Sequence, residues 1–128
     1  MANTFKVVNF AAEPNSSGTP YVVYTTPSTP TTTTVVLGLI LSNIHTSQVT
    51  ATVRLVSDTA ARGGALSSGA NTVANGTSII IKDAPIPVGA SLELMAGNKV
   101  VLETTDQITI DCSVADKLSG TLSIMEIT

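Results

Sequence analysis

The chain has 128 residues, of which 43% are hydrophobic and 12% are charged, and its formal net charge is −3. A disordered tail would combine low hydrophobicity with high net charge, so the composition excludes one and predicts a single packed domain over residues 1–128. The six basic residues are spread singly along the chain, which argues against a nucleic-acid partner. The longest apolar run, residues 35–41, is too short to cross a bilayer, so we expect an unexported protein with no membrane segment.

Side chains branched at Cβ dominate the sequence, with 20 Thr, 14 Val and 10 Ile. Such residues favour pleated strands over helices. The sequence therefore predicts an all-β fold, an antiparallel β-sandwich that is jelly-roll-like or immunoglobulin-like, with about nine strands. Apolar and polar residues alternate in residues 49–55, 108–112 and 118–127, which indicates one buried and one solvated face. The predicted strands, in chain order, are residues 5–10, 21–26, 33–43, 48–57, 77–82, 91–96, 99–104, 107–113 and 119–127.

The connections between these strands are mostly short. Gly97 and Asn98 lie between two apolar runs and predict a tight hairpin turn. Residues 83–87 contain two prolines, which lack amide donors, so this stretch can pair only at a sheet edge or cross between sheets, and we interpret it as a crossover. One connection is long: residues 58–76 form a loop rich in Gly, Ala and Ser, which is either held by another protein or folded over its own sandwich.

Few residues in the sequence are suited to catalysis or metal binding. His45 has no second histidine to share a metal with, and its turn-like setting is typical of a surface residue. Cys112 is in phase with Ile108 and Ile110, so we expect it to be buried. The spacing of the carboxylates selects neither a glycosidase pair nor a calcium site. We therefore predict a non-enzymatic protein without metal or cofactor. The carboxylates considered are Glu93, Glu103, Asp106, Asp111 and Asp116.

The surface indicates association instead. The strands are rich in Thr and weakly charged, so packing them against another protein would bury little charge. The last strand becomes apolar on both faces around Met125 and Ile127, which favours burial against another element or subunit.

Three apolar segments punctuated by turns such as Pro-x-Gly, together with the start at Phe5, extend over most of the chain: residues 35–43, residues 81–94 continuing to 106, and the ending Leu122-Ser123-Ile124-Met125-Glu126-Ile127-Thr128. In order and ending they resemble the small structural proteins of tailed-phage particles, especially those of marine and cyanobacterial phages. The resemblance implies a component of the virion, assembled in the host cytoplasm, and brings no catalytic residues with it.

The favoured interpretation is a capsid decoration or cement protein bound in many copies to the particle surface. Its expected partners are the major capsid protein or other virion proteins, and shell symmetry favours a homo-oligomer, with a trimer as the expected form. Two alternatives stay open: a structural protein of the neck, tail or fibre, and a carbohydrate- or receptor-binding module for host attachment. The residues expected to contact partners are Pro27, Pro30, Thr32, Arg62, Gly63, Gly64, Leu66, Met125 and Ile127.

Overall fold

The computed structural model of the chain describes residues 2–57, 76–95 and 99–128. Within these ranges the chain forms nine strands and no helix that is long and apolar enough to span a membrane. The strands are β1 (Asn3–Glu13), β2 (Tyr21–Thr25), β3 (Thr33–Asn43), β4 (Val49–Val56), β5 (Thr77–Ile86), β6 (Ser91–Leu94), β7 (Val100–Leu102), β8 (Gln107–Cys112) and β9 (Leu118–Ile127).

The strands form two antiparallel sheets. In the five-stranded sheet the order is β1-β9-β3-β6. Strand β7 pairs with the same side of β3 as β6 does, but nearer the start of β3, so β6 and β7 together form one interrupted edge. In the four-stranded sheet the order is β2-β8-β4-β5. The chain changes sheet after every strand except β4 and β6, which is the jelly-roll arrangement. The predicted antiparallel sandwich is thus confirmed, and its topology is jelly-roll-like.

The core lies between the two sheets and is built by alternation along each strand. In β9 the side chains of Leu118, Leu122 and Ile124 are fully buried, on the face that the sequence pattern predicts. Cys112 is fully buried with them, as expected from its phase in β8. Further buried members of this core are Val36, Leu39, Leu41, Val49, Val53, Ile86, Leu102, Ile108 and Ile110.

The prediction of a crossover at residues 83–87 is wrong for residues 83–86. They do not cross between sheets but continue β5, where Pro85 is paired with Thr50 and Ala84 with Ala51 on β4. The reason is that β5 lies at a sheet edge, where a proline nitrogen can point away from the neighbouring strand. The crossing to the other sheet comes in the next four residues, which form a turn closed by the Ala90 amide donating to the Pro87 carbonyl over 3.1 Å.

Two predictions fall on residues outside the described ranges. They are the hairpin turn at Gly97 and Asn98, and all of the long loop except its last residue, Gly76. Gly76 has φ of 96°, and its carbonyl accepts a hydrogen bond of 2.6 Å from the Ser57 amide.

Candidate docking surface

The outer face of the five-stranded sheet carries a row of apolar side chains that crosses four strands. Phe5 on β1 is paired with Met125 on β9, Met125 with Val35 on β3, and Val35 with Val101 on β7. Paired residues on neighbouring strands point to the same face of a sheet. We call these four residues the apolar row.

The apolar row is open to solvent at both ends. Phe5 is 72% exposed and Val101 is 56% exposed, whereas Val35 and Met125 in the middle are half-buried. The outer-face residues near the row include exposed Val7 and Ile40 together with Thr121 and Ser123, and the charged residue Glu93 is paired with Ile40. An apolar band with a polar rim that carries little charge is the composition expected of a protein contact surface.

A shallow groove adjoins the row on the same face. Its volume is about 320 Å³, and its lining includes Leu37, Ile40, Glu93, Thr121 and Ser123. It lies where β3 bulges between Val36 and Gly38, which changes the register with β9 at this point. The groove gives the otherwise regular outer face a concave region beside the apolar row.

A polar cluster lies on the opposite side of the same strands, where it joins the two sheets. Glu126 on β9 accepts from Lys6 Nζ at 2.7 Å through Oε1 and from the Tyr24 hydroxyl at 2.6 Å through Oε2. The Tyr24 hydroxyl has one hydrogen, which it donates to Glu126. The Thr34 hydroxyl is therefore the donor in its 2.8 Å contact with the Tyr24 oxygen. The cluster therefore ties β2 to β1, β3 and β9 beneath the apolar row.

Tyr24 and Glu126, at the centre of this cluster, both have shifted pKa values. Burial, followed by the hydrogen bond to Glu126, raises the pKa of Tyr24 to about 12. The hydrogen bond from Lys6, followed by that from Tyr24, lowers the pKa of the Glu126 carboxyl below its usual range. Glu126 is thus a buried carboxylate that is compensated by a cation and a hydroxyl, an arrangement that stabilises the fold rather than activating either group for chemistry.

The other carboxylates are dispersed. Asp111 is buried on β8 and pairs with Arg54 on β4. Asp106 is buried in the turn before β8, where its Oδ2 accepts from the Glu103 amide at 3.0 Å. Within the described residues, no three His, Cys, Asp or Glu side chains come together in a way that could hold a metal ion.

His45 lies in a turn organised by Asn43. The Asn43 side chain accepts from the His45 amide at 2.7 Å and donates to the carbonyls of Ser47 at 3.0 Å and Ile86 at 2.8 Å. The role of this turn is therefore structural, since Asn43 uses both ends of its amide to join the β3–β4 turn to the end of β5.

The residues expected to contact partners fall into three groups. Met125 belongs to the apolar row, and Ile127 is the next residue of β9 on the same outer face. Pro27 is half-buried and Pro30 is exposed, while Thr32 is buried and donates from its hydroxyl to the Pro30 carbonyl at 2.8 Å, so it shapes the connector. The remaining four, Arg62, Gly63, Gly64 and Leu66, lie outside the described residues.

Phe5, Val35 and Val101 are not among the residues that the sequence predicts to contact partners. A signal for Val35 is present in the unbroken apolar run from Val35 to Leu41, because a strand with one solvated face should alternate. Phe5 and Val7 are separated by Lys6, which looks like the solvated residue of this strand but whose amine reaches Glu126 instead. Only the strand pairing brings Phe5 and Val101 into line with Met125 and Val35.

No family model and no curated protein matches the chain. Among solved structures, it is similar to a chain of the Bacillus endospore appendages, which are described as a novel family of disulfide-linked pili. The two chains are 14% identical, the match covers 99% of this chain and 87% of the other, and the TM-score is 0.45. This likeness is too low to carry a functional inference.

Proposed function

We propose that this protein is a non-enzymatic structural component of a phage particle, a capsid decoration protein that binds in many copies to the particle surface through the apolar row. The apolar row is the observation that carries the proposal. It places Phe5 and Val101 in solvent, and burial against a capsid protein would remove this apolar area from water.

The composition of the surrounding surface supports a protein partner. Thr121 and Ser123 lie beside the row and can be covered without desolvating a charge. Many weak copies suffice on a particle, because a subunit that touches two neighbours gains avidity from the second contact. The jelly-roll fold itself is neutral on this point, since capsid proteins, lectins and cupins all use it.

The neck, tail or fibre is the alternative location for the same kind of contact. A carbohydrate- or receptor-binding role is the alternative of another class, and exposed Phe5, on the same outer face as the groove, is the observation that favours it, because sugars stack on aromatic rings.

Imaging of particles tests the location. Cryo-electron micrographs of the phage that encodes this chain are compared with those of the same phage lacking the gene. We expect repeated density on the capsid of the first particles only. Density confined to the neck or tail would favour the alternative location, and identical particles would overturn the proposal.

A pair of matched variants tests the surface. Val101 and Val88 are both 56% exposed, but Val88 lies in the turn between β5 and β6 instead of the apolar row. Purified Val101→Ser should bind gene-deleted particles about tenfold more weakly than the unsubstituted protein, because burial of a valine contributes about 1.5 kcal/mol. Val88→Ser should bind normally. Equal binding of the two variants would argue against the row, and specific binding on a glycan array that Phe5→Ser abolishes would support the carbohydrate-binding role.

A further inference from the structure

The N-terminal half of β1 has a free backbone edge. The amide of Ala2 donates to the Thr128 carbonyl at 3.1 Å and the amide of Thr128 donates back at 3.0 Å, so these residues form a hydrogen-bonded pair. In an antiparallel ladder such pairs alternate with pairs that exchange no hydrogen bond. Because the register with β9 runs without a shift through this half of β1, the N–H and C=O groups of Asn3, Phe5 and Val7 point away from β9.

This edge carries little of the usual protection. Every residue from Asn3 to Val7 is exposed, and no strand of the described part of the chain pairs with β1 on that side. Native edge strands are normally protected by charges, prolines or bulges. Here the only charge in the stretch is Lys6, which pairs with Glu126, and the register shift of β1 comes only after Phe10.

We propose that this edge binds the same edge of a second copy of the chain, forming an antiparallel β1–β1 pair around a two-fold axis. The pair is centred on Phe5, so that Phe5 lies opposite Phe5 of the second copy and Asn3 lies opposite Val7 of the second copy. All three residues direct their backbone groups to the free edge, and each opposed pair exchanges two hydrogen bonds.

Shifting the centre of the pair towards the C-terminal end of β1 is unfavourable. A pair centred on Lys6 would place two lysines directly opposite each other, which is destabilising. A pair centred on Val7 would reach into the bulged end of β1, where Phe10 is covered by Tyr21 with the ring centroids 5.4 Å apart. Centring on Phe5 instead places Lys6 opposite Thr4 of the second copy.

The same register also joins the apolar rows of the two copies. Phe5 ends the row of each copy at the β1 edge, so pairing at Phe5 makes one row that crosses both five-stranded sheets. Phe5 is the most exposed large hydrophobic residue that the structure describes, and the pairing covers it with the ring of the second copy. An aromatic cross-strand pair adds favourable packing to the backbone hydrogen bonds.

Sedimentation of the purified full-length chain tests the pairing. We expect a reversible monomer–dimer equilibrium. Phe5→Lys should weaken the dimer by tenfold or more, roughly, because it places like charges opposite each other. Val88→Lys adds the same charge at an exposed valine far from β1 and should leave the equilibrium unchanged. A monomer at all concentrations, or equal effects of the two variants, would overturn the proposal.

Cross-linking tests the register independently of affinity. In the proposed pair, Phe5→Cys places two thiols opposite each other at a Cα separation compatible with a disulfide, whereas Val7→Cys places each thiol opposite Asn3. Under mild oxidation, Phe5→Cys should form a covalent dimer and Val7→Cys should not. Preferential cross-linking of Val7→Cys would overturn the register. Native Cys112 is fully buried and so does not compete.

Self-pairing at β1 and binding to a particle can fail separately. Self-association is measured on the purified chain without particles, whereas decoration is measured on particles. A dimer that does not bind particles would remove only the proposed function, and a particle-bound monomer would remove only the pairing.

Discussion

The ring of Phe10 lies directly over Gly120, its partner across the β1–β9 ladder. A Cβ atom at residue 120 would lie 2.4 Å from Cζ and 2.5 Å from Cε1 of that ring, and 3.1 Å from Cδ2 of Leu41. The missing side chain of Gly120 is therefore the space that the aromatic ring fills at this corner of the core.

Gly120→Ala should destabilise the protein, because the Phe10 ring has to leave its position between Gly120 and Tyr21. We expect a loss of about 1–3 kcal/mol in the free energy of unfolding, measured by urea denaturation. Gly38→Ala on the neighbouring strand is the control, since the nearest atom to its Cβ would be the Leu94 carbonyl oxygen at 4.0 Å. Equal stability of the two variants would contradict this account of the corner.

Thr109→Val and Thr52→Val should change stability in opposite directions. The two threonines are buried on neighbouring strands, at 4% and 2% exposure. The Thr109 hydroxyl has no hydrogen-bond partner among the residues that the structure describes, whereas the Thr52 hydroxyl accepts from the Asp83 amide at 3.0 Å. We expect Thr109→Val to raise the free energy of unfolding by about 0.5–1 kcal/mol and Thr52→Val to lower it by about 1–2 kcal/mol. A loss of stability in both variants would show that the Thr109 hydroxyl is satisfied.

Asn43→Ala should lower stability by about 2–3 kcal/mol, because it leaves the carbonyl of Ile86 without its donor in a buried setting. Asn43→Asp should also be destabilising, since a carboxylate cannot donate to the two carbonyls. Asn9→Ala is the control, because Asn9 is exposed on β1 and its truncation should change stability by less than about 0.5 kcal/mol. Thermal and urea denaturation give the comparison, and a variant of Asn43 as stable as Asn9→Ala would contradict the role of the turn.

Acid should destabilise the fold through Glu126. Its pKa is lower in the folded chain than in the unfolded one, where it is about 4.5, so the ionised carboxylate stabilises the fold above that pH, and this contribution is lost as the pH falls through the folded value. The free energy of unfolding should fall more steeply with decreasing pH in the unsubstituted protein than in Glu126→Gln. Lys6→Met should move the acid limb to higher pH, because Lys6 makes the largest contribution to the lowered pKa. Parallel pH profiles for all three proteins would be inconsistent with this linkage.

Alkali should destabilise the fold through Tyr24. Its folded pKa, about 12, lies above the unfolded value, so the neutral hydroxyl stabilises the fold below roughly pH 10 and this contribution is lost as the pH rises towards the folded value. Tyr24→Phe should be less stable at neutral pH, since Glu126 loses a donor, but should lack this alkaline loss. Tyrosinate absorbance followed alongside unfolding provides the measurement. An alkaline limb that persists unchanged in Tyr24→Phe would rule out Tyr24 as its source.

Much of the sandwich could be predicted from local patterns. The bounds of β3 agree with the prediction, and the inward phase of Leu118, Leu122 and Ile124 follows from period-two alternation. The failure at residues 83–86 has a non-local cause: the missing amide donor of Pro85 is compatible with strand pairing only because β5 lies at a sheet edge, and the sheet order is not visible in the local sequence.

The candidate surface was less predictable because it depends on contacts between distant parts of the chain. Lys6 and Glu126 lie near opposite ends of the sequence, and no local pattern shows that one neutralises the other. Likewise, Phe5 and Val101 fall on one line only through the registers of β9 and β3, and a shift of one residue in either ladder would move a side chain to the other face.

The interrupted edge opposite β1 limits how many copies of the chain can be added to the five-stranded sheet. There β6 and β7 offer only four and three residues, and Met95 between them has φ of 64°, a backbone conformation that does not extend a strand. A sheet with two long open edges could add copies head to tail into a fibre, whereas this one has a single edge long enough for pairing. Pairing of β1 with β1 as proposed uses the same edge of both copies, so this contact closes at two subunits and leaves no second long edge of the five-stranded sheet for further copies.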